Sequence, residues 1–235
     1  CQTSNTDRLQ VAASSKVDTM LQETIEAHGG TLYETAHYRF AFRKKIYTFQ
    51  NNEGAYIYTR TETKDGKRII DRLDNNTASR TVDGQSMTLT EKEANGIRYS
   101  LNSVIYFATL PHKLKDPAVT KKYIGVTNIK GKHYDILEVG FQAAGGGPDH
   151  DDVYHYWINQ DTKLIDYLAY NFLVGKGGVR FRSAFNTRKI DGIIFQDYVN
   201  YKAPKGTPLL SLPEQFENNE LEKLSIIATE NIAKL

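Results

Sequence analysis

The chain has 235 residues, 40% of them hydrophobic, which is enough to bury a sizeable core in one large or two small domains. Lys and Arg total 30 against 28 Asp and Glu, and a net charge of +2 leaves no electrostatic footprint for a nucleic-acid partner. Fifteen Tyr and ten Phe against two Met favour half-buried strands over helical bundles, and no run approaches the ~18 apolar residues of a membrane-spanning helix.

The only cysteine is Cys1, which excludes an internal disulfide and a cysteine zinc cluster within one chain. A cysteine in that place, followed by the polar stretch Gln2–Ser15, matches what lipoprotein processing leaves behind. Lipid attachment at Cys1 and a tether over 1–15 are therefore expected, an arbitrary cut of the chain being the alternative; two acyl chains would anchor stably where one would not. The remainder, 16–235, is expected to form a single domain. Val17, Met20, Leu21, Thr24, Ile25 and His28 fall at helical spacing, with Ser15 as the expected cap and Gly29-Gly30 as the stop.

From Tyr33 the period changes to two. Alternating runs are punctuated by Asn51 to Gly54, Asp65-Gly66 and Asp83-Gly84, and Asp-Gly between alternating residues is the strongest short hairpin signal. The pattern breaks between Glu91 and Lys115, where Leu101, Val104, Ile105 and Ala108 predict one or two short helices closed by Pro111 and Pro117. Alternation then resumes, with turns at Gly131, at Gln160 to Thr162, at Gly175 to Gly178 and at Asp191-Gly192. The segment Leu221–Ile232 is readable as a strand or a short helix. The sum is a mainly β (α+β) fold of about 10–12 antiparallel strands with an N-terminal helix and a mid-chain helical insert. Strands such as Leu164–Leu173 are apolar on both faces, which suits a curved sheet wrapped around a helix or a hydrophobic cavity.

This order of elements behind Cys1 resembles the periplasmic lipoprotein-carrier and lipoprotein-receptor (LolA/LolB-like) fold, a half-barrel with helices as its lid. More narrowly, FATLPHKLKDP (107–117), GGGPDHDDVYHYW (145–157) and GGVRFRSAFN (177–186) resemble an uncharacterised family of bacterial lipoproteins. That resemblance implies a fold and a cell-envelope location without an activity. Gln2 in place of Asp is compatible with sorting to the outer membrane on the pattern best known in enteric bacteria, facing the periplasm or the cell surface.

Three constellations could carry chemistry. Asp149, His150, Asp151, Asp152 and His155 offer oxygen and nitrogen ligands to a divalent metal behind a glycine run, or form an acidic hairpin loop entering a strand; the spacing matches no metal motif. Strand alternation would place His155 with Trp157, and Tyr154 with Tyr156 on the opposite face. Arg180 and Arg182 share one strand face and repel unless an anion sits between them, either Asp149, Asp151 or Asp152 or a bound carboxylate, phosphate or sulfate. Tyr154, Tyr156, Trp157, Tyr170 and Phe172, with Tyr167, Phe181, Phe185, Phe195 and Tyr198, line a cavity for an apolar ligand or pack as ordinary core.

No nucleophile elbow, phosphate-binding loop or dinucleotide fingerprint is present, and no cofactor is required, a divalent metal on the acid-histidine cluster being the one candidate. The reading that joins these features is a monomeric, lipid-anchored half-barrel of the bacterial cell envelope that binds a lipid or acyl chain. The alternatives are a metal-assisted hydrolase using Asp149–His155 and a docking lipoprotein without a ligand.

Overall fold

The computed structural model describes residues 5–142, 152–173 and 177–235. The chain folds into α1 (Asn5–His28), strands β1 (His37–Phe42), β2 (Lys45–Asn52), β3 (Ala55–Lys64), β4 (Lys67–Asp74), β5 (Thr77–Val82) and β6 (Gln85–Ser86), then α2 (Glu91–Ala108). There follow β7 (Val119–Ile129), β8 (Lys132–Phe141), β9 (Tyr154–Asn159), β10 (Ile165–Phe172), β11 (Gly178–Ile190), β12 (Ile193–Ala203), α3 (Leu212–Glu217), β13 (Glu222–Ile227) and β14 (Glu230–Lys234). The strands form two curved, unclosed seven-stranded sheets in the orders β14-β1-β2-β3-β4-β5-β6 and β13-β12-β11-β10-β9-β8-β7.

The expected class is the observed one: mainly antiparallel β, with a helix at the start and another in mid-chain. Fourteen strands are seen among the described residues where 10–12 are expected, because Leu221–Ile232 supplies two edge strands, β13 and β14. Hairpin turns fall at Asp65-Gly66, Asp83-Gly84 and Asp191-Gly192, each with positive φ at both central residues. That twist matches the flanking strands, and only an Asx-Gly-type pair takes it cheaply.

Two differences are local. The first helix starts at Asn5, so Ser15 lies inside it and does not cap it. No Gly or Pro interrupts residues 2–28, and Leu9, Gln10, Ala12 and Ala13 are good helix formers, so nothing in the polar composition stops the helix. The six residues predicted to form its buried face are all buried. The second difference is α3, which hides in a Pro-containing stretch too short for a periodic signal.

Two compact units make up the chain. One contains Cys1–His28, Leu114–Asn186 and Asp197–Ile227. Its sheet is covered on one face by the segment after β12, where Leu209, Leu212 and Phe216 close over Ile136, Trp157, Tyr167, Ala169 and Phe181. On the other face Lys16 of α1 lies 3.6 Å from the ring centroid of Tyr123 on β7.

The second unit contains Gly29–Lys113, Thr187–Gln196 and Ala228–Leu235. Here α2 lays Ile97, Leu101 and Ile105 on Tyr38, Phe40, Phe49, Tyr58 and Leu73 of the first sheet. Thr90 starts α2 with a capping box: its hydroxyl accepts from the Glu93 amide, and the Glu93 carboxylate accepts from the Thr90 amide. A row of charges crosses the same sheet, because Tyr47, Arg60, Asp71 and Arg80 are successive cross-strand partners on β2 to β5. Asp71 is 1% exposed. Arg80 grips its carboxylate with Nε at 2.6 Å and Nη2 at 3.0 Å, Arg60 Nη2 donates to Oδ2, and Arg60 Nη1 reaches Ser100 of α2 at 2.7 Å.

Removing the acid leaves two guanidiniums facing each other without it. Asp71→Ala should therefore cost about 3–5 kcal/mol in urea unfolding, the penalty for breaking a buried ion pair from one side. Thr90→Ala should cost only about 1 kcal/mol through the lost cap. Comparable losses in the two variants would show that the triad does not hold this sheet.

Candidate functional site

The chemistry expected from the sequence converges on the second sheet, around β9 to β11. Tyr154 pairs with Tyr170 and Tyr170 with Arg180, while Tyr156 pairs with Leu168 and Leu168 with Arg182. Two rows thus cross three strands on one face, here the first face. Tyr154 and Tyr170 stack at 5.2 Å, Phe141 meets Tyr154 edge-on at 5.6 Å, and Tyr170 lies 6.2 Å from Phe172. Tyr154 and Tyr156 are buried, whereas Phe141, Tyr170 and Phe172 are half-buried.

The two arginines end these rows differently. Arg182 is 7% exposed; its Nη2 donates to the Tyr170 hydroxyl at 2.9 Å and its guanidinium sits 5.3 Å from that ring. Arg180 is half-buried, lies 4.8 Å from the Phe172 ring and donates from Nη1 to the carbonyl of its neighbour Val179 at 3.0 Å. Stacking on an aromatic face satisfies part of each cation. Arg180 forms no ion pair with Asp152 or with any other described residue. Near Arg182, burial pushes the Tyr198 phenol above its usual pKa, with the arginine charge working in the opposite direction.

Trp157 stands apart from the other expected ligand residues. It projects to the second face, where it meets Phe181 at 5.7 Å in the core closed by Phe216. Tyr167 and Phe181 are there too, Phe195 belongs to the core of the other unit, and Phe185 is exposed. Of the ligand candidates, Tyr154, Tyr156, Tyr170, Phe172, Arg180 and Arg182 share the first face.

His155 keeps company with Trp157 as alternation requires, their rings 6.0 Å apart. Its Nε2 lies 3.2 Å from Oε2 of Glu138, its partner on β8, and Nδ1 is buried with no hydrogen-bond partner among the described residues. Glu138 is not visible as a site residue in the sequence, because only the β8–β9 register brings it to His155; the one available signal is a lone acid in an alternating strand. Asp152 is buried. Cys1, Asp149, His150 and Asp151 lie outside the described residues, and among the described residues no three His, Cys, Asp or Glu side chains converge to hold a metal.

Burial lowers the His155 pKa below its ordinary value, and the Glu138 carboxylate opposes that shift without overcoming it. A histidine of this kind is neutral in the folded protein at neutral pH and takes its proton more readily once unfolded. Stability is then undiminished above about pH 6.5, the unfolded value, and falls as the pH drops towards the lower folded value. Melting temperatures between pH 7.5 and 5.5 should accordingly drop more for the wild type than for His155→Asn. Parallel curves would rule out this linkage.

Comparisons with known proteins agree with the fold and go no further. A LolA superfamily protein from Nitrosomonas europaea superposes with a TM-score of 0.53 at 11% identity, covering 93% of each chain. A putative outer membrane lipoprotein-sorting protein domain from Vibrio parahaemolyticus superposes with a TM-score of 0.51 at 8% identity, covering 94% of this chain and 93% of the other. No curated protein matches. A model described as a family of unknown function, DUF6503, matches residues 28–229. Over most of its length, then, this chain with a LolA-like fold belongs to the DUF6503 family.

Proposed function

We propose that the chain is a cell-envelope protein that binds an apolar or amphipathic ligand of the acyl-chain type on the first face of its second sheet. The observation that carries this reading is the half-burial of Phe141, Tyr170 and Phe172 beside the buried Tyr154 and Tyr156. A strand interior filled only for stability would close over such rings, since each aromatic left partly wet forfeits hydrophobic stabilisation of about 25 cal/mol per Å². Three strand spacings from β8 to β11 give that track a width of about 14 Å. The shared fold with a putative lipoprotein-sorting domain supports the location and the ligand class. Acylation of Cys1 belongs to the same proposal; an intact mass of membrane-fraction protein that carries a lipid adduct would support it, and an unmodified mass would count against it.

Organic extracts of the purified protein should contain co-purified lipid, and a fluorescent fatty-acid analogue should bind. Phe172→Ala should weaken that binding about tenfold, the equivalent of roughly 1.4 kcal/mol. Phe185→Ala, an exposed ring on the other face of the same sheet, should leave it unchanged. A lipid-free extract together with no analogue binding would sink the proposal.

A further inference from the structure

The hairpin turns of a meander alternate between the two ends of its sheet, and in the first sheet the two ends differ in charge. At one end the turns Glu53-Gly54 and Asn75-Asn76 carry no cation. At the other, Phe42 pairs with Lys45 around Arg43-Lys44, and Lys64 pairs with Lys67 around Asp65-Gly66. Arg43, Lys44, Lys45, Lys64, Lys67 and Arg68 stand there against Glu62, Asp65 and Asp83, an excess of three positive charges where the whole chain has a net charge of +2. The rest of the chain is therefore slightly acidic, and its basic character is concentrated at these tips.

Both tips are built against local preference. Arg43 and Lys44 hold φ values of 48° and 63° in a two-residue turn that Asn-Gly or Asp-Gly takes more cheaply, and the other turns between strands of this sheet do use Gly or Asn. Lys64 and Lys67 are like charges set directly opposite each other, which weakens a strand pair. Arg43, Lys44, Lys64, Lys67 and Arg68 are exposed, and their side chains form no ion pair or hydrogen bond among the described residues. Asp83 spends an oxygen on the Arg68 amide at 2.8 Å, and Glu62 is taken by Lys45 at the same distance. That ion pair bridges the two hairpins, which stand two strand spacings, about 10 Å, apart because β2 and β3 are neighbours. A separation of about one screening length at 0.1 M salt lets their charges act on a partner as one field.

A small anion needs donors that converge on it, whereas long cationic side chains spread over convex turns suit a partner that is broad and fluid. Ile46, beside Lys45 and 44% exposed, adds an apolar contact. We propose that the tips of the β1–β2 and β3–β4 hairpins dock the protein on an anionic phospholipid bilayer. This surface lies in the first sheet and stands independently of the acyl-chain reading of the second.

The test is co-sedimentation of the full chain with phosphatidylcholine vesicles that contain or lack phosphatidylglycerol, with Cys1→Ser in every protein so that no acyl anchor contributes. At low salt the anionic vesicles should bind about tenfold or more tighter, and 0.5 M NaCl should narrow the gap. Lys44→Glu with Lys67→Glu, both exposed, should abolish the preference without moving the melting temperature or the affinity for a fluorescent fatty-acid analogue. Lys44→Arg with Lys67→Arg should preserve it. Lys92→Glu with Lys234→Glu makes the same change in net charge away from the tips: Lys234 pairs with Tyr38 at the far end of β1, and Arg98 ties Glu91, beside Lys92, to the β4–β5 turn. That variant should also keep the preference.

Equal binding to both vesicles, or a preference that survives the tip reversals, would overturn the docking surface and leave the acyl-chain reading untouched. An equal loss in the Lys92 and Lys234 variant would overturn it too, by showing that net charge alone is felt. A single-stranded oligonucleotide that binds more tightly than the vesicles and is lost with the same tip substitutions would assign the patch to nucleic acid, and the bilayer assignment would be wrong.

Discussion

Every residue of β9, from Tyr154 to Asn159, is buried, so alternate side chains of one six-residue strand must satisfy two different environments at once. Even-numbered residues join the first face and odd-numbered residues the core closed by Phe216. A slip of one residue would put Trp157 among the tyrosines and Tyr156 against α3, exchanging two sets of side chains that differ in size and polarity. Register is thereby fixed more firmly here than in a sheet with one wet face. The neighbouring strands inherit it through their cross-strand pairs, and this is what sets Arg180 beside Tyr170 and Glu138 beside His155.

The two sheets handle interior polarity in different ways. In the first, a single acid, Asp71, sits between two arginines and is itself tied to α2 through Arg60 and Ser100. The charges there are paired before any ligand is considered. In the second, Arg182 and Arg180 lean on aromatic rings, and His155 remains neutral in preference to a full ion pair with Glu138. A guanidinium held by one ring and one hydrogen bond, as Arg180 is, can respond to a new partner, which a saturated carboxylate triad cannot.

How much of this is legible in the sequence follows from the range of the forces involved. The Asp-Gly turns, the buried face of α1 and the division of β9 into His155 with Trp157 against Tyr154 with Tyr156 are consequences of local period and turn chemistry, and they can be read directly. The grouping of the aromatics cannot, because which of Trp157, Phe181 and Phe195 meet depends on strands far apart in the chain. The same holds for Asp71 and Glu138, single acids in alternating runs whose partners are set by register alone. The helical extent of α1 escapes for a different reason: a polar composition suits a flexible tether, yet no residue there breaks a helix.

Arg180 and Arg182 make the clearest case that residue type and spacing do not decide role. They are two positions apart on one strand and face the same way, so the sequence treats them alike. Arg182 lies further into the sheet, is nearly sealed from water and holds the Tyr170 hydroxyl, which fixes the ring that the next row depends on. Arg180 lies near the strand's start, half-buried, where its guanidinium and the Phe172 ring occupy the space a β-carbon on Gly178 would take. Burial makes the first a part of the frame, since its loss would take a charge-assisted hydrogen bond from the Tyr170 hydroxyl and leave a gap beside that ring. Partial exposure and an incompletely used fork of donors leave the second able to meet a ligand that arrives from outside.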